Sequence, residues 1–161
     1  MTFQPSHTRH RRLLAAPLVA LACEAGAAST APDLAPSNVP VRAEKIVGGG
    51  GLSLSIYEDG SPGARPVVFI HGFTQNALTW DRQFRNLADR FHVIAYDLRG
   101  HGASDKPLDA SKYTDSSLWA DDLAAVIRAR NLQRPVLVGW SYGGYIIADY
   151  VRKYGDNGLG G

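Results

Sequence analysis

Gly139-Trp140-Ser141-Tyr142-Gly143 decides the fold, because it joins the apolar run Pro135-Val-Leu-Val138 to an amphipathic stretch carrying Ile146, Ile147, Tyr150, Val151 and Tyr154. A serine between two glycines, set where a strand meets a helix, reads as a nucleophile elbow. The glycines leave room for a tightly folded backbone and for the helix to pack on neighbouring strands, and the sharp turn pushes Ser141 Oγ into the open. The backbone N–H of Tyr142, at the helix N-terminus, then lies where it can face a developing oxyanion. Five such residues also arise by chance as a glycine-rich turn; the strand before and the helix after favour the elbow.

Working upstream, the same alternation of strand and helix repeats. Ile46-Val47, Gly48 to Gly51 and Leu52-Ser-Leu-Ser-Ile-Tyr57 predict an antiparallel hairpin in which Leu52, Leu54 and Ile56 bury one face. Glu58 to Gly63 is a turn cluster. Pro66-Val-Val-Phe-Ile70 and Phe91-His-Val-Ile-Ala-Tyr96 have the continuous apolar character of strands covered on both faces, and Pro135 to Trp140 is read as a third buried strand. Between them, Trp80, Phe84, Leu87 and Phe91 fall at i, i+4, i+7 and i+11, one helical stripe. Trp119, Leu123, Val126 and Ile127 make a second stripe, with Asp115 to Ser117 available as caps. Each return to a parallel strand needs a crossover, which the helices supply, so the expected fold class is α/β: a mostly parallel sheet opened by the hairpin, with helices on both faces. His71-Gly72-Phe73, Asp97 to Gly102 and Ser141 all follow directly on strand C-terminal ends and should converge on one rim.

Bulk properties narrow the function classes. The 161 residues are 45% apolar and 20% charged with a net charge of +2, which suits one soluble domain with a real core. No basic stripe interleaved with aromatics suggests nucleic acid. The five histidines, at 7, 10, 71, 92 and 101, never take the i, i+4 spacing of a helical metal pair, and the lone Cys23 precludes a thiolate cluster, so neither metal nor cofactor is implied.

The N-terminal segment reads as export machinery. Basic His7-Thr-Arg-His-Arg-Arg12 precedes the apolar run Leu13 to Ala22, too short to span a bilayer, which needs about 20 apolar residues. Ala25-Gly26-Ala27 offers a cleavage pattern, giving a signal peptide over residues 1–28 and a periplasmic or secreted location. Two variants compete: Leu21-Ala22-Cys23 resembles a lipoprotein box, which makes Cys23 a candidate lipid anchor, and Arg11-Arg12 resembles a twin-arginine signal. Residues 29–44, with prolines at 32, 36 and 40, read as an extended tether, leaving the domain at 45–161.

Taken together, the three ordered motifs His71-Gly72-Phe73, Asp97-Leu-Arg-Gly-His-Gly-Ala-Ser104 and Gly139 to Gly143 resemble the α/β-hydrolase fold family over about residues 46 to 161. Arg99 to Ser104 with Trp119-Ala-Asp-Asp-Leu123 is most similar to its non-haem chloroperoxidase, perhydrolase and esterase branch. The resemblance implies Ser141 as nucleophile, the backbone amides of Phe73 and Tyr142 as oxyanion donors, and His71, Gly72, Gly139 and Gly143 as structural parts of the motifs. It implies acyl chemistry on a small ester-like substrate. Dehalogenases and epoxide hydrolases of the same fold carry aspartate at the elbow, so Ser141 argues against them. Trp140, with Phe73 and Tyr142, is a candidate for lining the pocket, with ordinary packing an equal alternative.

The family's chain order places the triad acid and base after the serine. Beyond Ser141 the sequence has no histidine, and its only acids are Asp149 and Asp156. Ser141 is therefore expected to lack its base within these residues, as in an N-terminal half of the fold, and the chain by itself to be inactive. A non-catalytic exported binding protein that keeps the pocket is the alternative from another class.

Overall fold

The structure, a computed structural model, describes residues 42–161. The signal peptide, Cys23 and residues 29–41 of the expected tether lie outside the described residues.

Strands β1 (Arg42–Val47) and β2 (Ser53–Asp59) form the expected antiparallel hairpin, with Ile46 opposite Leu54. β1 starts at Arg42 rather than beyond residue 44. Its alternation sets Arg42 and Glu44 against Glu58 and Arg130, in ion pairs of 3.5 and 2.8 Å, which anchors residues expected to be linker. β3 (Arg65–Ile70), β4 (Phe91–Tyr96) and β5 (Val136–Gly139) are mutually parallel, and β2 joins β4 antiparallel, giving the order β1-β2-β4-β3-β5.

Helices cover both faces. α1 (Asp81–Leu87) packs Phe84 against Val67, Phe69, Val93 and Ala95 on one face. The short α2 (Ser111–Thr114), α3 (Ser116–Ala129) and α4 (Tyr142–Tyr154) follow, and Trp119, Leu123, Val126 and Ile146 bury Leu54, Ile56, Val68, Ile70 and Ile94 on the other. The Asp115 side chain accepts the Ser117 amide at 2.8 Å as the N-cap of α3.

Two expectations need correction. The stripe Trp80 to Phe91 is not one helix. Trp80 ends a 3-10 turn (Ala77–Trp80), α1 stops at Leu87, and Phe91 opens β4; the four side chains still share one cluster, because the turn at 88–90 carries Phe91 back over the same sheet face. β5 is only half-buried, unlike β3 and β4. Among the described residues its strand neighbour is β3 alone, and its other side meets the chain around Gly160, through Gly160 N–H to Pro135 O and Leu137 N–H to Gly161 O, both 2.9 Å.

Candidate functional site

Ser141 stands between β5 and α4 with φ 52° and ψ −116°, a left-handed backbone that a side chain adopts only under constraint. Neighbouring close approaches supply that constraint. A Cβ at Gly139 would lie 2.6 Å from the Gly143 carbonyl carbon, and one at Gly143 would lie 2.3 Å from the Ile70 carbonyl oxygen. The Trp140 N–H donates to that same Ile70 oxygen at 3.0 Å. The end of β3 thus fixes the elbow, and Ser141 is exposed, as the turn demands.

The loop leaving β3 lies alongside. A Cβ at Gly72 would approach the Ser141 Cβ to 3.2 Å and the Trp140 ring to 3.1 Å, so Gly72 is where loop and elbow touch. Phe73 and Tyr142 stack edge to face with ring centroids 6.2 Å apart. Their backbone amides find no acceptor among the described residues. Around Phe73 every neighbouring amide is satisfied: Gly72 by Gln75 Oε1 at 2.9 Å, Thr74 by His101 Nε2 at 3.2 Å, and Gln75 by Gly72 O at 3.3 Å.

His71 is fully buried. Its Nδ1–H donates to Gly72 O at 2.8 Å and its Nε2 accepts the Leu98 amide at 3.0 Å, so the ring is neutral and ties the 71–74 loop to the loop after β4. Burial pushes the His71 pKa below its ordinary value near 6.5. Because the unfolded chain then binds the proton more readily, this histidine's contribution to stability is complete above about pH 6.5 and is lost as pH falls below it. The thermal midpoint is expected to drop on acidification below pH 6.5, and a His71→Asn variant, which keeps a donor toward Gly72 O, to show a flatter dependence.

Asp97 is the second tie between loops. Its carboxylate accepts Ala77 N–H at 2.8 Å, Ala103 N–H at 2.7 Å and Tyr57 O–H at 3.0 Å; burial first, and then this carboxylate, push the Tyr57 phenol up to about 12. Gly102 at φ 49° lies so close to Asp97 that a Cβ would sit 2.1 Å from the carboxyl carbon.

Beside the elbow lies a cavity of about 460 Å³ lined by Phe73, Gly100, His101, Tyr113, Trp119 and Tyr142. Trp119 and Tyr142 meet edge to face at 5.1 Å. Burial raises the Tyr142 phenol above its ordinary value. Trp140, a candidate liner, is not among these residues and has 60% of its surface exposed. Tyr113 lines the cavity without any sequence pattern marking it, whereas Trp119 is a core residue of α3, as its place on the buried stripe predicts, and also forms part of the cavity wall. A larger cavity, about 570 Å³, lies at the other ends of the strands among Arg65, His92, Arg130 and Arg134, away from Ser141.

Among the described residues, no histidine is aimed at Ser141. His71 and His101 have both ring nitrogens engaged, His101 through Arg99 O at 2.9 Å and the Thr74 amide. His92 stands at the start of β4, paired with Glu58 at 3.1 Å, at the opposite end of the sheet. Asp149 is held by Arg152 at 2.7 Å on α4. No group of three or more His, Cys, Asp or Glu among the described residues could hold a metal ion.

A family model described as the alpha/beta hydrolase fold matches residues 65–158. The bifunctional esterase/perhydrolase of Acinetobacter calcoaceticus is 40% identical over 100 residues, which cover 61% of this chain and 35% of that protein. Epoxide hydrolase A of Mycobacterium tuberculosis is 36% identical over 105 residues, 65% of this chain and 32% of its own. Among solved structures, an esterase from Rhodococcus sp. matches with a TM-score of 0.69 at 37% identity, covering 73% of this chain and 42% of that one. Across eight curated relatives the chain spans 18% to 37% of the relative's length.

Proposed function

The chain belongs to the α/β-hydrolase fold family, and from that premise we propose that it is the nucleophile-bearing part of an exported serine hydrolase acting on small ester-like substrates through an acyl-enzyme. The observation that carries the reading is the positive-φ Ser141 beside the 71–74 loop, with the Phe73 and Tyr142 amides the free donors on either side. Ser141 Oγ attacks the carbonyl carbon, the carbonyl electrons move to oxygen, and the two amides receive the resulting oxyanion. One such donor is worth about 3–4 kcal/mol of the barrier. The alcohol then leaves and water releases the acid. Resemblance to an esterase/perhydrolase and an esterase supports ester chemistry, and the aromatic cavity suits an apolar group next to the scissile bond.

The serine still needs a base, and the histidines of residues 42–161 are occupied elsewhere. The 161 residues alone are expected to hydrolyse p-nitrophenyl acetate no faster than buffer. When a polypeptide carrying these residues is completed by the later strands, with an Asp or Glu and a His at their ends, it is expected to turn over the ester and to take up a fluorophosphonate at Ser141. Ser141→Ala should abolish both. Labelling at another residue, or turnover that survives Ser141→Ala, overturns the assignment. A completed polypeptide that binds ester-like ligands in the aromatic cavity without labelling favours the non-catalytic binding reading.

A further inference from the structure

We propose that His101 is a positioning residue whose neutral imidazole clasps the Thr74 amide and thereby holds the Phe73 N–H free for an incoming oxygen, a role that rests on reading that amide as an oxyanion donor.

The need for a clasp comes from Thr74. It is a β-branched residue at φ 63°, in the left-handed region such side chains avoid, so the turn does not hold itself. A relaxed turn would rotate the Phe73–Thr74 peptide and its neighbour, carrying the Phe73 amide away from Ser141. His101 supplies the restraint. Its Nε2 accepts the Thr74 N–H at 3.2 Å, and its Nδ1 donates to the Arg99 carbonyl at 2.9 Å. Nδ1 faces a carbonyl, which only accepts, so the proton resides there and Nε2 keeps its lone pair for Thr74. The carbonyl is itself a firm anchor, because the Arg99 side chain is buried in bonds to Asp122, Gly49, Lys112 and Leu118.

His71 makes the same pair of bonds in the opposite direction. It belongs to the loop after β3 and accepts the Leu98 amide, while His101 belongs to the loop after β4 and accepts the Thr74 amide. The rings meet edge to face at 5.3 Å, and Phe73 packs on His101 at 5.5 Å. Two histidines of one tautomer therefore lock two loops reciprocally. With Gly72, Thr74 and Gln75 all donating within the lock, Phe73 is the one amide of the turn left over. Simple ring packing would produce the ring contacts too, but it would not require an acceptor at the Nε2 position.

Two variants of the 161-residue chain separate these accounts. His101→Phe keeps a ring and removes the acceptor; His101→Gln removes the ring and keeps a carbonyl oxygen near the same place. By amide hydrogen exchange, the Phe variant is expected to speed Thr74 at least about tenfold and the Gln variant to stay within about threefold of the native rate, with the sheet amides unchanged in both. Equal effects of the two variants, or an unchanged Thr74 in the Phe variant, would overturn the proposal. Nitrogen-15 spectra of the unmutated protein give a reading independent of any folding defect: His101 is expected as the Nδ1–H tautomer, and the commoner Nε2–H tautomer would sink the idea. None of these measurements involves turnover, so they can fail while Ser141 proves to be the nucleophile, and hold while it does not.

Discussion

Replacing Arg99 with methionine is expected to lower the unfolding free energy by about 3–5 kcal/mol, the cost of stripping one partner from a buried ion pair. The Arg99 side chain is fully buried, and its guanidinium makes a two-pronged pair with Asp122 at 2.7 and 2.9 Å. Its remaining N–H groups reach Lys112 O at 2.7 Å, Leu118 O at 3.0 Å and Gly49 O at 3.1 Å, and the Trp119 ring lies 5.5 Å from its charge. One side chain therefore ties the 3-10 turn over Gly49–Gly51, α2 and α3 to the loop after β4. Burial pulls the Asp122 carboxyl above its ordinary pKa while the guanidinium and the Gly49 amide hold it down; without Arg99 only the destabilising influence and one amide remain. Asp122→Leu should cost a similar amount. The double replacement should recover part of the loss, since an apolar pair leaves no orphaned charge. Urea unfolding of the three variants checks the set. A single-variant loss below about 1 kcal/mol would place Arg99 among ordinary exposed pairs.

Gly143→Ala is the second large effect, and its neighbour provides the control. The added Cβ would sit 2.3 Å from the Ile70 oxygen, 2.9 Å from its carbon and 3.1 Å from the His71 oxygen, all backbone atoms that have no rotamer to yield with. The first turn of α4 must lift from β3, and the Tyr142 amide moves with it. Overpacking of this kind costs about 1–3 kcal/mol, with this rigid contact at the upper end. At Gly144 an added Cβ meets nothing within 4 Å, so Gly144→Ala should be neutral or stabilising by up to about 1 kcal/mol through helix propensity. Thermal melts of the two variants should therefore move in opposite directions. Equal shifts in the same direction would mean that contact with β3 does not set Gly143 apart from Gly144.

These glycines also show why the elbow was legible in the sequence. A requirement for missing side chains at Gly139 and Gly143 is written directly in residue type, and the strand and helix around them in apolar spacing. The hairpin, β3, β4 and α3 were legible for the same reason. The path from Trp80 to Phe91 was not, because a helix followed by a turn can return to the stripe on which it began, leaving periodicity intact while the backbone changes state. α2 has four residues, too few to show a period. The exposure of β5 depends on which strand lies beyond it, a long-range fact that no local pattern carries. At the site, the motifs named Ser141, Phe73 and Tyr142, but the cavity wall at Tyr113 and the bond from His101 to Thr74 join segments that sequence spacing alone cannot bring together.

The strand order has a consequence for synthesis. β3 receives β4 on one side soon after it is made, but its other side waits for β5, which follows only after residues 71–135. At typical translation speeds of about 5–20 residues per second that interval is about 3–13 s, during which the rim of Val67 to Ile70 can accept any passing strand. Ser141 lies directly after the segment that closes this gap, so its turn is assembled only once the free edge of β3 has been covered.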